Sequence, residues 1–285
     1  MARVAPLQTL SLHPCHGGVQ GFYRHDSLAT GTLMNFGVYV PPQALERPVP
    51  VLYYLAGLTC THETFAIKAG AQRHAAEHGL MLVSCDTSPR DTGIAQADAQ
   101  WDLGTGAGFY VDATEAPWSG HWQMERYVTQ ELHALVRAHF AVRDDAVGIF
   151  GHSMGGHGAL TLALKHPGLY RSVSALAPIA APMHCPWGVK AFTGYLGADR
   201  TVWACHDATA LIAAGGRVAP LLIDQGLGDA FLTEQLQPER LEAACAATGQ
   251  PMQLRRHAGY DHGYYFISTF IGDHVAHHAR QLTSH

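Results

Sequence analysis

The sequence predicts an α/β protein built on a mostly parallel sheet, and three observations support this fold class. After position 49, short apolar runs alternate with helical patterns of about 12 residues or more, as in β-α-β crossovers. The run Val49–Ala56 is apolar at nearly every residue, which is typical of a strand buried on both faces. The first 55 residues alternate in the manner of strands with little chain between them. We therefore expect an antiparallel edge attached to the parallel sheet.

The individual elements follow one another without an obvious break. Strands are predicted at Leu33–Val40, Val49–Ala56, Leu80–Asp86, Ala146–Phe150, Arg171–Ala177, Ala219–Asp224 and Met252–His257. Helices are predicted near Glu63–His78, Trp122–Phe140, Gly155–His166, Glu234–Ala247 and Tyr264–Leu282, with a long loop before Trp118. No Ser/Gly-rich linker, charge run or internal repeat divides the chain. Because one large α/β domain can reach this length, residues 1–285 are predicted to form a single domain.

Composition excludes several classes of protein. The longest apolar stretch, near Val51–Ala56, is far shorter than the roughly 20 residues of a membrane span. A net charge of −5 argues against a nucleic-acid-binding protein, which normally carries a basic field. The N-terminal residues have no apolar core of a secretory signal, and the six cysteines contain no CxxC pair. We therefore expect reduced thiols in a cytoplasmic protein, with the 20 histidines supplying surface polarity.

The most informative motif is Gly151-His152-Ser153-Met154-Gly155, between a predicted strand and a predicted helix. This context is that of a nucleophile elbow, in which a serine projects from a tight strand-to-helix turn. The strand and the helix approach closely there, so the residues two positions to either side of the serine must be small. Gly151 and Gly155 meet this requirement. Ser153 is therefore the predicted nucleophile.

A serine nucleophile needs a base, and the base needs an acid to orient it. In this fold class the chain order is serine, acid, histidine. Asp224 is the last residue of the predicted strand that starts at Ala219, and Asp229 lies in the loop that follows. Asp229 is favoured because it lies further out in the loop, but position alone leaves both acids open. For the base, His262 precedes the last predicted helix, and His257 is its competitor.

At the level of whole segments the sequence resembles the S-formylglutathione hydrolases, the esterase D family of α/β-hydrolases. The resemblance rests on long stretches in family order, among them YYLAGLTCTHETFAIKAG (53–70), WDLGTGAGFYVDAT (101–114), GIFGHSMGGHGAL (148–160), CPWGVKAFTGYLG (185–197), LLIDQGLGDAFL (221–232) and GYDHGYYFISTFIGDH (259–274). With the stretches 77–90 and 117–132 they span nearly the whole chain.

The resemblance implies an α/β-hydrolase fold, with a mostly parallel central sheet, antiparallel N-terminal edge strands and helices on both faces. It implies Ser153, Asp229 and His262 as the catalytic triad, and so selects Asp229 over Asp224. It further implies an oxyanion hole at the backbone amides of Leu58 and Met154. The implied reaction is hydrolysis of S-formylglutathione to glutathione and formate, in formaldehyde detoxification. The resemblance also implies a homodimer, and it implies no metal or organic cofactor.

Two further residues are expected at the substrate pocket, Cys60 near the active site and Trp187 as a wall limiting acyl length. The chain also departs from the family pattern. The acid loop reads Leu227-Gly228 where the family usually has Lys and an acidic or small residue, and Gly263 stands where Ser is common. The stretch 91–100 also differs. None of these touches the triad, so we expect effects on thiol selectivity or loop mobility rather than on the reaction class.

Other functions are less well supported. His74, Glu77 and His78 match H-x-x-E-H, a zinc-peptidase signature, but chance matches are easy with so many histidines. The histidines of the last predicted helix, His274, His277 and His278, are expected to form a solvated face. Residues 104–108 are rich in glycine but do not have the spacing or context of a dinucleotide-binding loop. The main alternative is a broad-specificity carboxylesterase or acyltransferase that uses the same triad.

Overall fold

Nine strands form one sheet in the computed structural model, which describes residues 6–283. In chain order they are β1 (Gln8–Cys15), β2 (Gly18–Asp26), β3 (Leu33–Val40), β4 (Val49–Leu55), β5 (Met81–Cys85), β6 (Val142–His152), β7 (Ser172–Leu176), β8 (Leu221–Gly226) and β9 (Met252–His257). Their order in the sheet is β1-β2-β3-β5-β4-β6-β7-β8-β9. The pairs from β1 to β5 are antiparallel and the remaining pairs are parallel. The predicted parallel sheet with an antiparallel N-terminal edge is therefore confirmed.

Helices fill the connections between the strands. They are α1 (His62–Lys68), α2 (Ala71–His78), α3 (Met124–Arg126), α4 (His133–His139), α5 (Met154–Lys165), α6 (Pro186–Leu196), α7 (Arg200–Trp203), α8 (Ala208–Ala213), α9 (Pro238–Thr248) and α10 (Tyr264–Thr283). A π-helical segment, Tyr127–Leu132, joins α3 to α4, and another, Leu232–Leu236, precedes α9. Short 3-10 turns lie at Pro42–Leu45, Trp118–Gly120, Pro182–His184 and Ala204–His206. Within residues 6–283, no helix has the length and apolar character needed to cross a bilayer.

Helix boundaries differ from the prediction in several places, of which two are the largest. The single helix expected over Glu63–His78 is two helices, because Gly70 adopts a left-handed conformation with φ of 68° between them. The segment 182–214, for which no element was predicted, contains α6, α7 and α8. In contrast, β3 and β9 have the predicted boundaries.

The nucleophile turn depends on very close backbone packing. β6 ends at His152 and α5 begins at Met154. A Cβ added to Gly155 would lie 1.9 Å from the Leu55 carbonyl oxygen, and one on Gly151 would lie 2.2 Å from the Gly155 carbonyl oxygen. Only glycine fits at these two positions. The loops after β8 and β9 leave the same carboxyl edge of the sheet, where ligands bind in open α/β sheets.

The predicted solvated histidine face of α10 is wrong for two of its three members. His274 and His278 are completely buried against the sheet. His278 hydrogen-bonds to Ser172 at 2.6 Å and to Ser174 at 2.8 Å. His274 hydrogen-bonds to the same Ser174 at 2.8 Å and to Asp224 at 3.2 Å. The serine hydroxyls of β7 and this carboxylate supply the polar partners that a buried imidazole requires.

Candidate active site

Ser153 occupies the turn between β6 and α5 in a strained backbone conformation, with φ of 58° and ψ of −120°. A non-glycine residue held there costs on the order of 1–3 kcal/mol and persists only when its surroundings impose it. The backbone supplies that constraint, since the Ser153 amide donates to Leu176 at 3.0 Å and its carbonyl accepts from Ile179 at 3.1 Å. Ser153 is 3% exposed. Its side chain reaches the surface only through the cavity described below.

Asp229 and His262 form a short hydrogen bond between loops that follow neighbouring strands. Asp229 Oδ2 lies 2.6 Å from His262 Nδ1. The carboxylate is itself held in place, because Oδ1 accepts from the Phe231 amide at 2.8 Å and Oδ2 from Gln225 Nε2 at 3.3 Å. A buried carboxylate on Nδ1 favours the tautomer with its proton there. That tautomer leaves Nε2 of His262 free to accept a proton.

The competing acid and base, Asp224 and His257, lie together elsewhere. Arg255 forms a bidentate ion pair with Asp224, at 2.6 and 2.5 Å. His257 Nε2 is 3.2 Å from the same carboxylate, and its ring stacks on Phe270 at 3.7 Å. Burial works to raise the pKa of Asp224, but the hydrogen bonds and charges of His274 and Arg255 outweigh it and hold that pKa well below its usual range. Asp224 is thus an ionised structural group under α10.

A cavity of about 160 Å³ contains both Ser153 and His262. Its remaining lining is Gly57, Leu58, Cys60, Trp101, His152, Trp187, Phe231 and Tyr264. Both expected pocket residues, Cys60 and Trp187, are therefore in its wall. Trp187 packs against Phe231, with ring centroids 4.8 Å apart, and edge-on against Trp101 at 5.5 Å. The aromatic side chains leave a narrow, mostly apolar space.

Sequence reasoning missed five of these lining residues: Gly57, Trp101, His152, Phe231 and Tyr264. His152 and Tyr264 are sequence neighbours of Ser153 and His262, and that proximity was the available signal. Trp101 lies in a loop about 50 residues before the nucleophile and is 56% exposed. No periodicity or spacing distinguishes such a loop residue from an ordinary surface aromatic.

Two backbone amides lie beside the nucleophile. Met154 is the first residue of α5, so its N–H has no carbonyl partner within the helix. Leu58 follows Gly57, which is so close to the serine that an added Cβ would lie 3.1 Å from the Ser153 Cβ. The next residue is anchored, because the Thr59 amide donates to the Gly106 carbonyl at 2.9 Å. The Leu58 loop is thereby held against the nucleophile turn.

The cavity wall contributes neutral groups rather than charges. Burial lowers the pKa of His152 well below its usual value, and the nearby His262 lowers it further. The two ring centroids are 4.4 Å apart. The imidazole of His152 is therefore uncharged. Burial also raises the pKa of the Cys60 thiol, against the opposing effects of Thr64, Tyr264 and Lys68. A thiol is a much weaker nucleophile than a thiolate. At neutral pH Cys60 is therefore a protonated wall residue.

Of the three residues expected to depart from the family pattern, two join the acid loop to the base loop. The Gly228 amide donates to the Tyr260 carbonyl at 2.8 Å, and the Leu227 amide donates to the His257 carbonyl at 2.9 Å. Gly263 donates its amide to Asp261 Oδ1 at 2.8 Å. The Leu227 side chain is 49% exposed. At all three positions the contact is made by the backbone amide, and its partner is neither Asp229 nor His262.

The H-x-x-E-H segment is an ordinary helical surface in the structure. His74 Nδ1 lies 3.5 Å from Glu77, and the same carboxylate pairs with Arg73 at 3.3 Å. Across residues 6–283 there is no cluster of three or more His, Cys, Asp or Glu side chains suited to a metal ion. Glu77 is thus engaged by its helical neighbours.

The sheet order and the site at its carboxyl edge define an esterase of the α/β-hydrolase class, and a family model described as putative esterase matches residues 27–277. An S-formylglutathione hydrolase of Rattus norvegicus is 51% identical, over 98% of this chain and 99% of the relative. One from Paracoccus denitrificans is 53% identical, over 96% and 98%. The solved structure of an S-formylglutathione hydrolase from Agrobacterium tumefaciens has a TM-score of 0.95 at 48% identity, covering 96% of this chain and 99% of that chain. This chain belongs to the S-formylglutathione hydrolase family.

Proposed function

We propose that this protein hydrolyses S-formylglutathione to glutathione and formate through an acyl-serine intermediate. The observation that carries the proposal is the 2.6 Å hydrogen bond between Asp229 and His262, with His262 in the same small cavity as Ser153. Full-length relatives at about 50% identity that bear the name S-formylglutathione hydrolase support the substrate.

In the acylation step, His262 Nε2 takes the proton of Ser153 as Oγ attacks the thioester carbonyl. The negative charge on the carbonyl oxygen is stabilised by the amides of Met154 and Leu58. In general, one such donor is worth about 3–4 kcal/mol of transition-state stabilisation. The C–S bond then breaks, and the sulfur leaves as a thiolate that collects the proton from His262. A thiolate is a good leaving group, so this step requires little acid catalysis.

Deacylation repeats the same proton transfers with water. His262 removes a proton from a water molecule that attacks the formyl-serine carbonyl, and the same two amides hold the oxyanion. The C–O bond to Ser153 breaks, and the imidazolium returns its proton to the serine oxygen. Formic acid is released, ionises to formate in water, and the enzyme is restored. All of these steps use protein groups and water, so we propose no metal or organic cofactor.

The setting of this activity is also a proposal. All nine strands of the described residues belong to one sheet, which supports a single domain. The six cysteines, all within residues 6–283, are free thiols, which supports a reducing, cytoplasmic compartment. A homodimer is in keeping with the large apolar side chains that β1, β2 and β3 leave exposed: Leu10, Leu12, Val19 and Leu33. Light scattering on the purified protein tests the dimer directly.

The test compares kcat/KM for S-formylglutathione with that for a short aryl ester, in the wild type, Ser153→Ala and the control Ser119→Ala, an exposed serine. We expect a large preference for the thioester that is insensitive to EDTA, lost in Ser153→Ala and kept in Ser119→Ala. Preference for the aryl ester, with Ser153→Ala inactive, would instead support the general esterase. Full activity of Ser153→Ala would refute the mechanism.

A further inference from the structure

The catalytic cavity is too small for the whole proposed substrate. Sites that enclose a drug-sized ligand usually have volumes of about 300–1,000 Å³, whereas the cavity at Ser153 has about 160 Å³. It accommodates the formyl group and the sulfur. The tripeptide part of the thiol must therefore lie in a neighbouring space, and its charged groups require partners there.

A second cavity adjoins the first at Tyr264. It has a volume of about 380 Å³ and is lined by Lys68, Tyr264, Tyr265 and Ser268. Tyr264 is in the wall of both cavities. Its hydroxyl lies beside Cys60, close enough for each group to affect the pKa of the other. A chain that leaves Ser153 past Cys60 and Tyr264 enters this space.

Lys68 gives the second cavity an uncompensated positive charge. The chain has only three lysines. Lys165 is paired with Glu125, and Lys190 is paired with Asp102. Lys68 forms no such ion pair with any residue of the described chain; its ammonium is 5.7 Å from the centroid of the Tyr264 ring. The ammonium is exposed at the end of α1, where an anion can reach it.

The chemistry of glutathione matches this arrangement at one end only. Its glutamyl end carries a carboxylate and an ammonium side by side, whereas its glycyl end carries a carboxylate alone. The second cavity is lined by a lysine and hydroxyl-bearing side chains, with no acidic side chain to pair with an ammonium. The glycyl carboxylate is also fewer bonds from the cysteine sulfur than the glutamyl one. Both facts favour the glycyl end.

We propose that the Lys68–Tyr264–Tyr265–Ser268 cavity is the subsite for the thiol part of the substrate, in which Lys68 binds the glycyl carboxylate. The proposal rests on the proposed function, because it assigns the leaving-group side of that reaction. Lys68 touches the substrate far from the reacting atoms. Its contact is therefore the same in the ground state and the transition state, and its loss raises KM while leaving kcat nearly unchanged.

The test is a comparison of two substrates in three variants. The substrates are S-formylglutathione and the same thioester with its glycyl carboxylate converted to an ethyl ester. The variants are Lys68→Gln, Lys68→Arg and the control Arg240→Gln, which removes one exposed positive charge on α9 that lines neither cavity. A short aryl ester measured in parallel reports on the catalytic residues alone.

We expect Lys68→Gln to lower kcat/KM for S-formylglutathione about two- to fivefold through KM, as for an exposed ion pair. Lys68→Arg should retain most of the activity, and the loss in Lys68→Gln should shrink at high salt. In the wild type, replacing S-formylglutathione by its glycyl ethyl ester should lower kcat/KM by the same factor as the Lys68→Gln substitution. In Lys68→Gln the ethyl ester should cause no further loss. Hydrolysis of the aryl ester should be the same in Lys68→Gln as in the wild type.

Two results would overturn the assignment and leave the proposed function intact. One is an equal loss in Lys68→Gln and Arg240→Gln, which would mean that only overall charge matters. The other is an equal effect of the ethyl ester in the wild type and Lys68→Gln, which would mean that the carboxylate binds elsewhere. If the wild type does not hydrolyse S-formylglutathione, the proposed function and the subsite are both refuted.

Discussion

Acidification from pH 7 to pH 5 should strongly destabilise this protein, because several histidines are buried in the uncharged form. Burial lowers the pKa of His157 to about 3 and that of His206 to about 4. It lowers the pKa of His152 and of His278 well below the usual value. In the unfolded chain each imidazole has a pKa of about 6.5. Below that pH the unfolded state binds protons that the folded state cannot bind.

The sign and size of the effect follow from proton linkage. The folded pKa of each histidine is depressed, so the stability is fully present above about pH 6.5 and is lost as the pH falls toward the folded values. Between pH 7 and pH 5 His157 and His206 each cost about 2 kcal/mol, and together about 4 kcal/mol. The lowered pKa values of His152 and His278 add to this loss in the same direction. A typical free energy of unfolding is about 5–15 kcal/mol. The loss is thus a large fraction of the whole stability.

Urea unfolding followed by circular dichroism at several pH values from 5 to 8 measures this dependence. We expect the free energy of unfolding to fall toward low pH with a slope of at least about 3 kcal/mol per pH unit, from the two protons of His157 and His206, and His152 and His278 should make it steeper. His157→Gln should reduce the slope by about one proton, because glutamine does not titrate. The variant should still fold, because glutamine can donate to the Phe109 carbonyl that His157 contacts at 3.0 Å. The control His13→Gln, at an exposed position, should leave the slope unchanged. A stability independent of pH between 7 and 5 would refute the reasoning.

Three further predictions concern the site. Gly155→Ala should abolish folding or activity, because the new methyl group would overlap the Leu55 carbonyl. The control Gly120→Ala should be tolerated, because its methyl group would meet no atom within 4 Å. Thermal melting and esterase assays on both variants distinguish these outcomes. Asp229→Asn should lower kcat by about 10⁴-fold through the wrong histidine tautomer with little change in melting temperature, and kcat within tenfold of wild type would contradict this role. Trp187→Ala should enlarge the cavity and raise kcat/KM for butyryl relative to acetyl aryl esters, and an unchanged ratio would mean that Trp187 does not limit acyl length.

Much of the sheet could be predicted from the sequence because its strands carry their own local signal. Val49–Leu55 is buried at every residue, and such a strand appears in the sequence as a continuous apolar run. The nucleophile turn was also predictable, since close approach of two backbones restricts Gly151 and Gly155 to one residue type. The choice between Asp224 and Asp229 as the catalytic acid could not be predicted from the residues alone. It depends on the contacts of Asp224 with Arg255 and His274, which come 31 and 50 residues later in the chain. It required a family resemblance first and the three-dimensional contacts afterwards.

The histidines of α10 show why residue type alone misled the sequence analysis, and they also connect the fold to the site. A histidine can be a surface group or a buried one, and the choice depends on whether neighbouring strands offer hydroxyl or carboxylate partners. Here Ser174 and Asp224 provide them. The Asp224 carbonyl also accepts from the Ala177 amide at 2.7 Å, beside Leu176, whose carbonyl accepts from the Ser153 amide. Since α10 begins two residues after His262, these buried contacts fix the helix that follows the proposed base to the strands that support the proposed nucleophile.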